Sequence, residues 1–222
     1  MAHPRDFGYG EEQEMLKDSA RRFMEGKKPL LALRASIKGT EDPYFGEERT
    51  GNYDRDAWTE MVELGWTALA VPEAAGGVGM NLVSAIAVAE EVGRASMPTP
   101  LTSTLQSTFA LRESEMASAM SWLSKISEGT SMTLATYGHE NSLEIDSSDV
   151  TAVNGILNGT SWYVQDLQKT DSLLIAASDE GVVKLYCVDI NTKGIGLAFD
   201  KIVDLTRAVS YTHLTLPTKR IV

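Results

Sequence analysis

The hydrophobic period changes once along this chain of 222 residues, and that change constrains the fold more than any single motif. Up to about residue 128, apolar side chains recur at helical spacing. Met15, Ala20, Phe23 and Met24 mark one face, and Trp58, Met61 and Val62 mark a second behind Asp54, a residue type that caps helix N-termini. Gly65 closes that second helix. The run from Leu82 to Val92 is apolar nearly all round until Glu90, the pattern of a helix buried inside a bundle. Met116, Met120, Leu123 and Ile126 form a further stripe, ended by Gly129. Beyond it the pattern shortens to β-rich runs, "SMTLATY", "SWYV", "DSLLIAA" and "VVKLYCVDI". Asn154-Gly155, Asn158-Gly159 and Glu180-Gly181 are hairpin or turn signals between them. Helices followed by strands, unmixed, indicate an α+β protein: an N-terminal all-helical bundle over 1–128 and a partial antiparallel β domain over 129–208.

Composition removes several function classes. A hydrophobic content of 43% is enough for a real core, and a formal net charge of −11 repels nucleic acid and anionic membrane surfaces. Arg21-Arg22 and Lys27-Lys28 lie at the end of a helix that begins with Glu11-Glu12, the charge order that offsets a helix dipole, so they are not a basic patch. One cysteine, Cys187, excludes an internal disulfide framework, and its alternating neighbours make it a small core residue rather than a nucleophile. The N-terminus "MAHPRDFGYGEEQ" has no apolar core of a signal peptide, and no apolar run approaches the roughly 18 residues of a membrane span. A cytoplasmic protein is expected, in which Asn158-Gly159-Thr160 is a turn and not a glycosylation site.

The stretch "VPEAAGGVGMN" concentrates Gly76, Gly77 and Gly79, yet it is not a dinucleotide fingerprint. That fingerprint follows a buried strand with glycines in a fixed order, whereas these give G-G-x-G after what reads as a helix end. Glu90-Glu91 is not a catalytic carboxylate pair either, because adjacent helical residues point about 100° apart.

The final stretch "VSYTHLTLPTKRIV" fits neither half in composition. Val209 to Thr218 resembles, residue for residue, one reading frame of a transposon-end adapter used in sequencing libraries. Residues 209–222 are therefore expected to be a non-native tail, with native coding sequence breaking off near Ala208 and His213 excluded as a site residue.

Ahead of that tail the order of motifs resembles the acyl-CoA dehydrogenase superfamily. "DAWTEMVELGWTALAVPEAAGGVGMNLVSAIAVAEEVGRA" resembles that family's helix, its glycine loop and its next helix. "ILNGTSWYVQDLQKTDSLLIAA" and "LYCVDINTKGIGLAFDKIVDLTR" resemble its middle β domain, so the likeness covers residues 6 to 208. Met97 to Pro100 and the "DLTR" at Asp204 to Arg207 resemble a divergent, often heteromeric branch known from steroid and lipid catabolism.

The resemblance implies a flavoprotein, with FAD as cofactor, that desaturates the α,β bond of an acyl-CoA thioester and passes electrons to an external acceptor. It implies a homo- or hetero-oligomer, in which the glycine loop lets the chain turn tightly between two helices near the acyl pocket. The family's base is a glutamate of a C-terminal helical domain, and no acidic residue within 1 to 208 matches its context, so no catalytic residue is assigned and the chain as written is expected to be inactive. Cofactor contacts are expected at Tyr137, Gly138, Tyr163 and Gln165. "YGHENSLEIDSSD" aligns with the run that meets the flavin pyrimidine edge, where Gly138 replaces a threonine, Tyr137 offers its backbone and His139 replaces a glutamate as a surface loop residue. Tyr163 stands where the family has a tryptophan flanking the ring, and Gln165 where it has a hydroxyl residue near the flavin nitrogen. Two alternatives remain open: a non-catalytic partner subunit of a heteromeric dehydrogenase, and a helical-plus-β interaction module without flavin.

Overall fold

A computed structural model describes residues 8–37, 53–114, 116–140, 148–199, 204, 206 and 209–217. Among the described residues, six α-helices come first: α1 (Glu11–Lys27), α2 (Pro29–Ile37), α3 (Arg55–Glu63), α4 (Leu82–Arg94), α5 (Leu101–Arg112) and α6 (Ala117–Ser127). Seven strands follow: β1 (Met132–Ala135), β2 (Val150–Val153), β3 (Ile156–Gln165), β4 (Ser172–Asp179), β5 (Val182–Asp189), β6 (Ile195–Phe199) and β7 (Val209–Pro217).

The helix starts are dictated locally. At α3 the Asp54 carboxylate accepts from the Ala57 N–H at 2.9 Å, and at α4 the Asn81 side chain does the same for Ser84 at 3.1 Å. On α1, Ala20 and Met24 enter the core as the stripe predicts, but Met15 is 73% exposed. Five residues before Ala20, it lies about 140° round the helix and faces outward. The expected all-round burial of α4 also fails at Leu82 and Ile86, both exposed. A core of Met24, Met61, Trp66, Val88, Leu101 and Leu105 holds the helices together. A second cluster, including Leu111, Leu123, Ile126, Met132, Leu174 and Cys187, fastens α5 and α6 to the sheet.

Charged pairs join α1 to α4. The Glu90 carboxylate takes hydrogen bonds from Lys17 Nζ at 2.8 Å and from the Tyr9 hydroxyl at 3.0 Å. Glu91, its side chain only 1% exposed, pairs with Arg21 at 3.1 Å and Arg94 at 2.6 Å. Burial alone would raise the Glu91 pKa, but the two guanidinium hydrogen bonds outweigh it and hold the carboxyl below its ordinary value. A lowered native pKa contributes stability that is fully present above the unfolded value of about 4.3 and is lost as pH falls through the native value. Glu91→Gln is accordingly expected to flatten the acid side of a stability-versus-pH curve, and equal acid slopes in variant and parent would contradict this.

The sheet is mixed. Four pairings are antiparallel (β2 with β3, β3 with β7, β4 with β5, β6 with β7), whereas β1 and β2 both run parallel to β4. The antiparallel expectation is thus corrected at two pairings. The chain leaves β1, makes the β2–β3 hairpin and only then returns to β4, a connection long enough to cross over. Asn154-Gly155 and Glu180-Gly181 make the expected two-residue hairpins, with φ of 51° and 75° and of 54° and 80°. Asn158-Gly159 does not turn; it lies within β3. There Gly159, at φ +134°, lets Asp149 pass so closely that an added Cβ would sit 2.1 Å from its carbonyl oxygen.

Val209–Pro217, the adapter-like stretch, forms β7 between β3 and β6. Strand pairing uses backbone groups that every sequence except proline carries, so alternating side chains of any origin can complete such an edge. Cys187 is buried within β5, and burial pushes its thiol pKa up to about 12. It is expected to resist alkylation at pH 8 until the chain unfolds; rapid labelling of the native protein would contradict that.

Candidate functional site

A cleft of about 480 Å³ opens where α4 and α5 meet β1 and β3. Each helix contributes one stripe: Leu82, Ala85, Ile86 and Ala89 from α4, and Thr102, Leu105, Gln106 and Phe109 from α5. Both sets are spaced i, i+3, i+4, i+7, which is one helical face. The floor comes from Thr133 and Leu134 of β1, from Thr136 and Tyr137 just after it, and from Tyr163 and Gln165 of β3. Tyr163 and Gln165, near the end of β3, both line the cleft. Leu82 and Ile86 are exposed because they wall this cleft rather than the bundle core.

The end of β3 is shaped for display. Its register against β7 shifts between Ser161 and Val164, and Tyr163 within that bulge adopts φ 53°, a left-handed conformation rare for a bulky residue. Strain of this kind persists only where surrounding contacts enforce it. Two are visible: the Trp162 N–H donates to the Tyr137 carbonyl at 3.0 Å, and the Thr133 hydroxyl donates to the Gln165 carbonyl at 2.7 Å. Residues 137 and 163 therefore come together through a β-bridge between Tyr137 and Trp162.

Three of the four expected cofactor residues, Tyr137, Tyr163 and Gln165, line the cleft, and Gly138, the residue after Tyr137, is buried and is not among its lining. Residues 141–147 of the aligned "YGHENSLEIDSSD" run lie outside the described residues. His139 is exposed, as expected for a loop residue, with its N–H on Asp149 at 2.7 Å and its ring edge-on to Trp162 at 4.6 Å. The α5 wall was not visible in the sequence. Its cleft face carries two polar and two apolar residues, and its other face buries Ser103, Thr104, Ser107 and Thr108, so no amphipathic stripe announces it.

The glycine loop beside the cleft is closed on itself. The Val78, Gly79 and Met80 N–H groups donate to the carbonyls of Ala68, Val71 and Leu69 at 3.0, 2.7 and 2.9 Å. Arg112, at the end of α5, donates to the carbonyls of Ala70 and Met80 and lies over the Phe109 ring at 5.4 Å. Those loop amides point at carbonyls, so they make no phosphate cradle. Among the described residues lining the cleft no side chain is charged, no group of acids, histidines and cysteine could hold a metal ion, and no helix is long and apolar enough to cross a membrane.

Residues 10–130 match the family profile of the acyl-CoA dehydrogenase N-terminal domain. The chain belongs to the acyl-CoA dehydrogenase family. Acyl-CoA dehydrogenase IpdE2 of Mycolicibacterium smegmatis is 35% identical over 102 residues, which are 46% of this chain and 30% of that protein. A variant of the Tcur3481-Tcur3483 steroid ACAD superposes with a TM-score of 0.78 at 26% identity, over 95% of this chain and 57% of that one. The ChsE4-ChsE5 complex from Mycobacterium tuberculosis superposes with a TM-score of 0.76 at 20% identity over 97% of this chain, a likeness of fold. The chain spans 57% of each of these two solved chains.

Proposed function

We propose that this chain is the forward part of a flavin-dependent dehydrogenase that introduces an α,β double bond into an acyl-CoA thioester, and that the cleft is its share of the flavin and acyl site. The observation that carries the proposal is the convergence of Tyr137, Tyr163 and Gln165 on one floor opposite two helical stripes. The volume lies within the roughly 300–1,000 Å³ of small-molecule sites. An uncharged cleft with aromatic and carboxamide groups on its floor fits a planar flavin ring with one hydrogen-bonding edge. FAD bound there supplies the hydride acceptor. With that cofactor bound, Tyr163 would stand beside its ring, and Gln165 and the backbone of Tyr137 and Gly138 would offer hydrogen bonds to it. Leu82, Ile86, Leu105 and Phe109 keep water from the acyl tail. The proton-abstracting carboxylate belongs to the family's C-terminal helical domain, so the 222-residue chain is inactive alone. Its setting is cytoplasmic, and the working protein is an oligomer that hands electrons to a separate acceptor.

We also infer that residues 209–222 are adapter-derived. In support, Ser161 and Thr212 face each other where β3 meets β7, and both hydroxyls are buried without a hydrogen-bond partner, an expensive mismatch for a strand selected to fit there. A second reading, a non-catalytic subunit that completes a partner's site, is favoured by the exchange of a hydroxyl residue for Gly138 and by the two-component names of the solved relatives. Titration of FAD into the chain is expected to give saturable quenching of flavin fluorescence with no desaturation of any acyl-CoA. Turnover would contradict the inactive-fragment proposal; flavin retained only after a partner subunit is added would favour the second reading, and none in either preparation an interaction module.

A further inference from the structure

Immediately beyond Gln165 lies a buried ion pair that the proposed chemistry does not use. Asp166 precedes and Lys169 ends a single 3-10 turn, Leu167–Lys169, with side chains only 3% and 2% exposed and Nζ to Oδ1 at 2.9 Å. The other carboxylate oxygen of Asp166 accepts from Ser103 Oγ of α5 at 2.8 Å. Lys169 Nζ also donates to the Thr206 carbonyl at 2.7 Å. Thr206 is in turn fixed by Asp204, whose Oδ1 accepts from its N–H at 2.8 Å and its hydroxyl at 2.6 Å. Asp166 itself adopts φ 52°, the second left-handed non-glycine residue within four positions of Tyr163.

These contacts sit on the reverse side of the cleft walls. Ser103 is the neighbour of Thr102 on α5, Asp166 is the neighbour of Gln165 on β3, and both Thr102 and Gln165 line the cleft. A buried ion pair adds little net stability compared with apolar packing of the same shape, but it enforces one geometry because breaking it strands a charge. We propose that Asp166 and Lys169 are positioning residues: the pair holds the end of β3 against α5, fixes the left-handed turn that presents Tyr163 and Gln165, and couples Thr206 and Asp204 to the cleft. The role at the flavin rests on the function proposed above; the mechanical role does not.

Two readouts separate them. Amide exchange of residues 163–167 in the flavin-free chain is expected to quicken at least tenfold in Lys169→Met, to change less in Ser103→Ala, which keeps the ion pair, and to stay unchanged in Leu123→Ala, a core truncation in α6 that lowers stability elsewhere. The FAD dissociation constant is expected to rise at least tenfold in Lys169→Met, to recover in Lys169→Arg, and to hold in Leu123→Ala. Exchange at 163–167 that is unaltered in Ser103→Ala and Lys169→Met, or altered equally by Leu123→Ala, would overturn the proposal. Should the parent chain bind no FAD, the flavin assignment falls, and the exchange data alone judge the clamp.

Discussion

Gly77→Ala is expected to cost on the order of 4 kcal/mol, measured as a lowered urea midpoint, and to lose the cleft with it. A Cβ at residue 77 would sit 2.1 Å from the Val71 carbonyl oxygen and 2.4 Å from the Val71 Cβ. One of these atoms is backbone and the other is fixed to it, so the loop itself must move. Moving it breaks the bonds from Gly77 to Pro72 at 3.1 Å and from Gly79 to Val71 at 2.7 Å, and releases the two carbonyls that Arg112 holds. Arg112 and Phe109 then lose their mutual contact, and Phe109 is a cleft wall. The matched control is Gly93→Ala in α4, where nothing lies within 4 Å of the added Cβ. That change should stabilise by roughly 0.5–1 kcal/mol, because alanine loses less backbone entropy in a helix. Similar midpoints for the two variants would show that Gly77 is not a close-approach position.

The second large effect concerns the acyl group. An acyl-CoA with a neutral tail is expected to bind at least about 100-fold more tightly than one whose tail ends in a carboxylate, read by competition against FAD-loaded protein. Every described residue lining the cleft is uncharged, and the nearest cation on α5, Arg112, is held by two loop carbonyls and the Phe109 ring. A carboxylate placed there would be desolvated without a partner, which costs several kcal/mol, and each 1.4 kcal/mol is about tenfold in affinity. Equal affinity for the two ligands would mean that a cation reaches the tail.

Much of this architecture is written locally and some is not. The change of period near Gly129, the Asp54 cap and the hairpins at Asn154-Gly155 and Glu180-Gly181 depend on a few neighbouring residues, and the sequence shows them directly. Asn158-Gly159 carries the same dipeptide signal as a true hairpin, but its glycine serves a close approach by Asp149, a partner that local sequence does not reveal. The parallel pairings of β4 depend on which strands meet after a crossover, a tertiary choice. At the site, Tyr163 and Gln165 can be picked out by the family resemblance. The α5 wall could not be, because Thr102 and Gln106 interrupt its apolar stripe and buried serines and threonines occupy its other side.

Methyl-resolved NMR of the chain during an FAD titration tests whether flavin lies in the cleft bounded by α4, α5, β1 and β3. Saturable shifts at Leu82, Ile86 and Leu105, with none at the core methyls of Leu123 and Leu173, are the predicted result. Shifts spread evenly over all five residues, or confined to residues outside the cleft, would contradict flavin binding there.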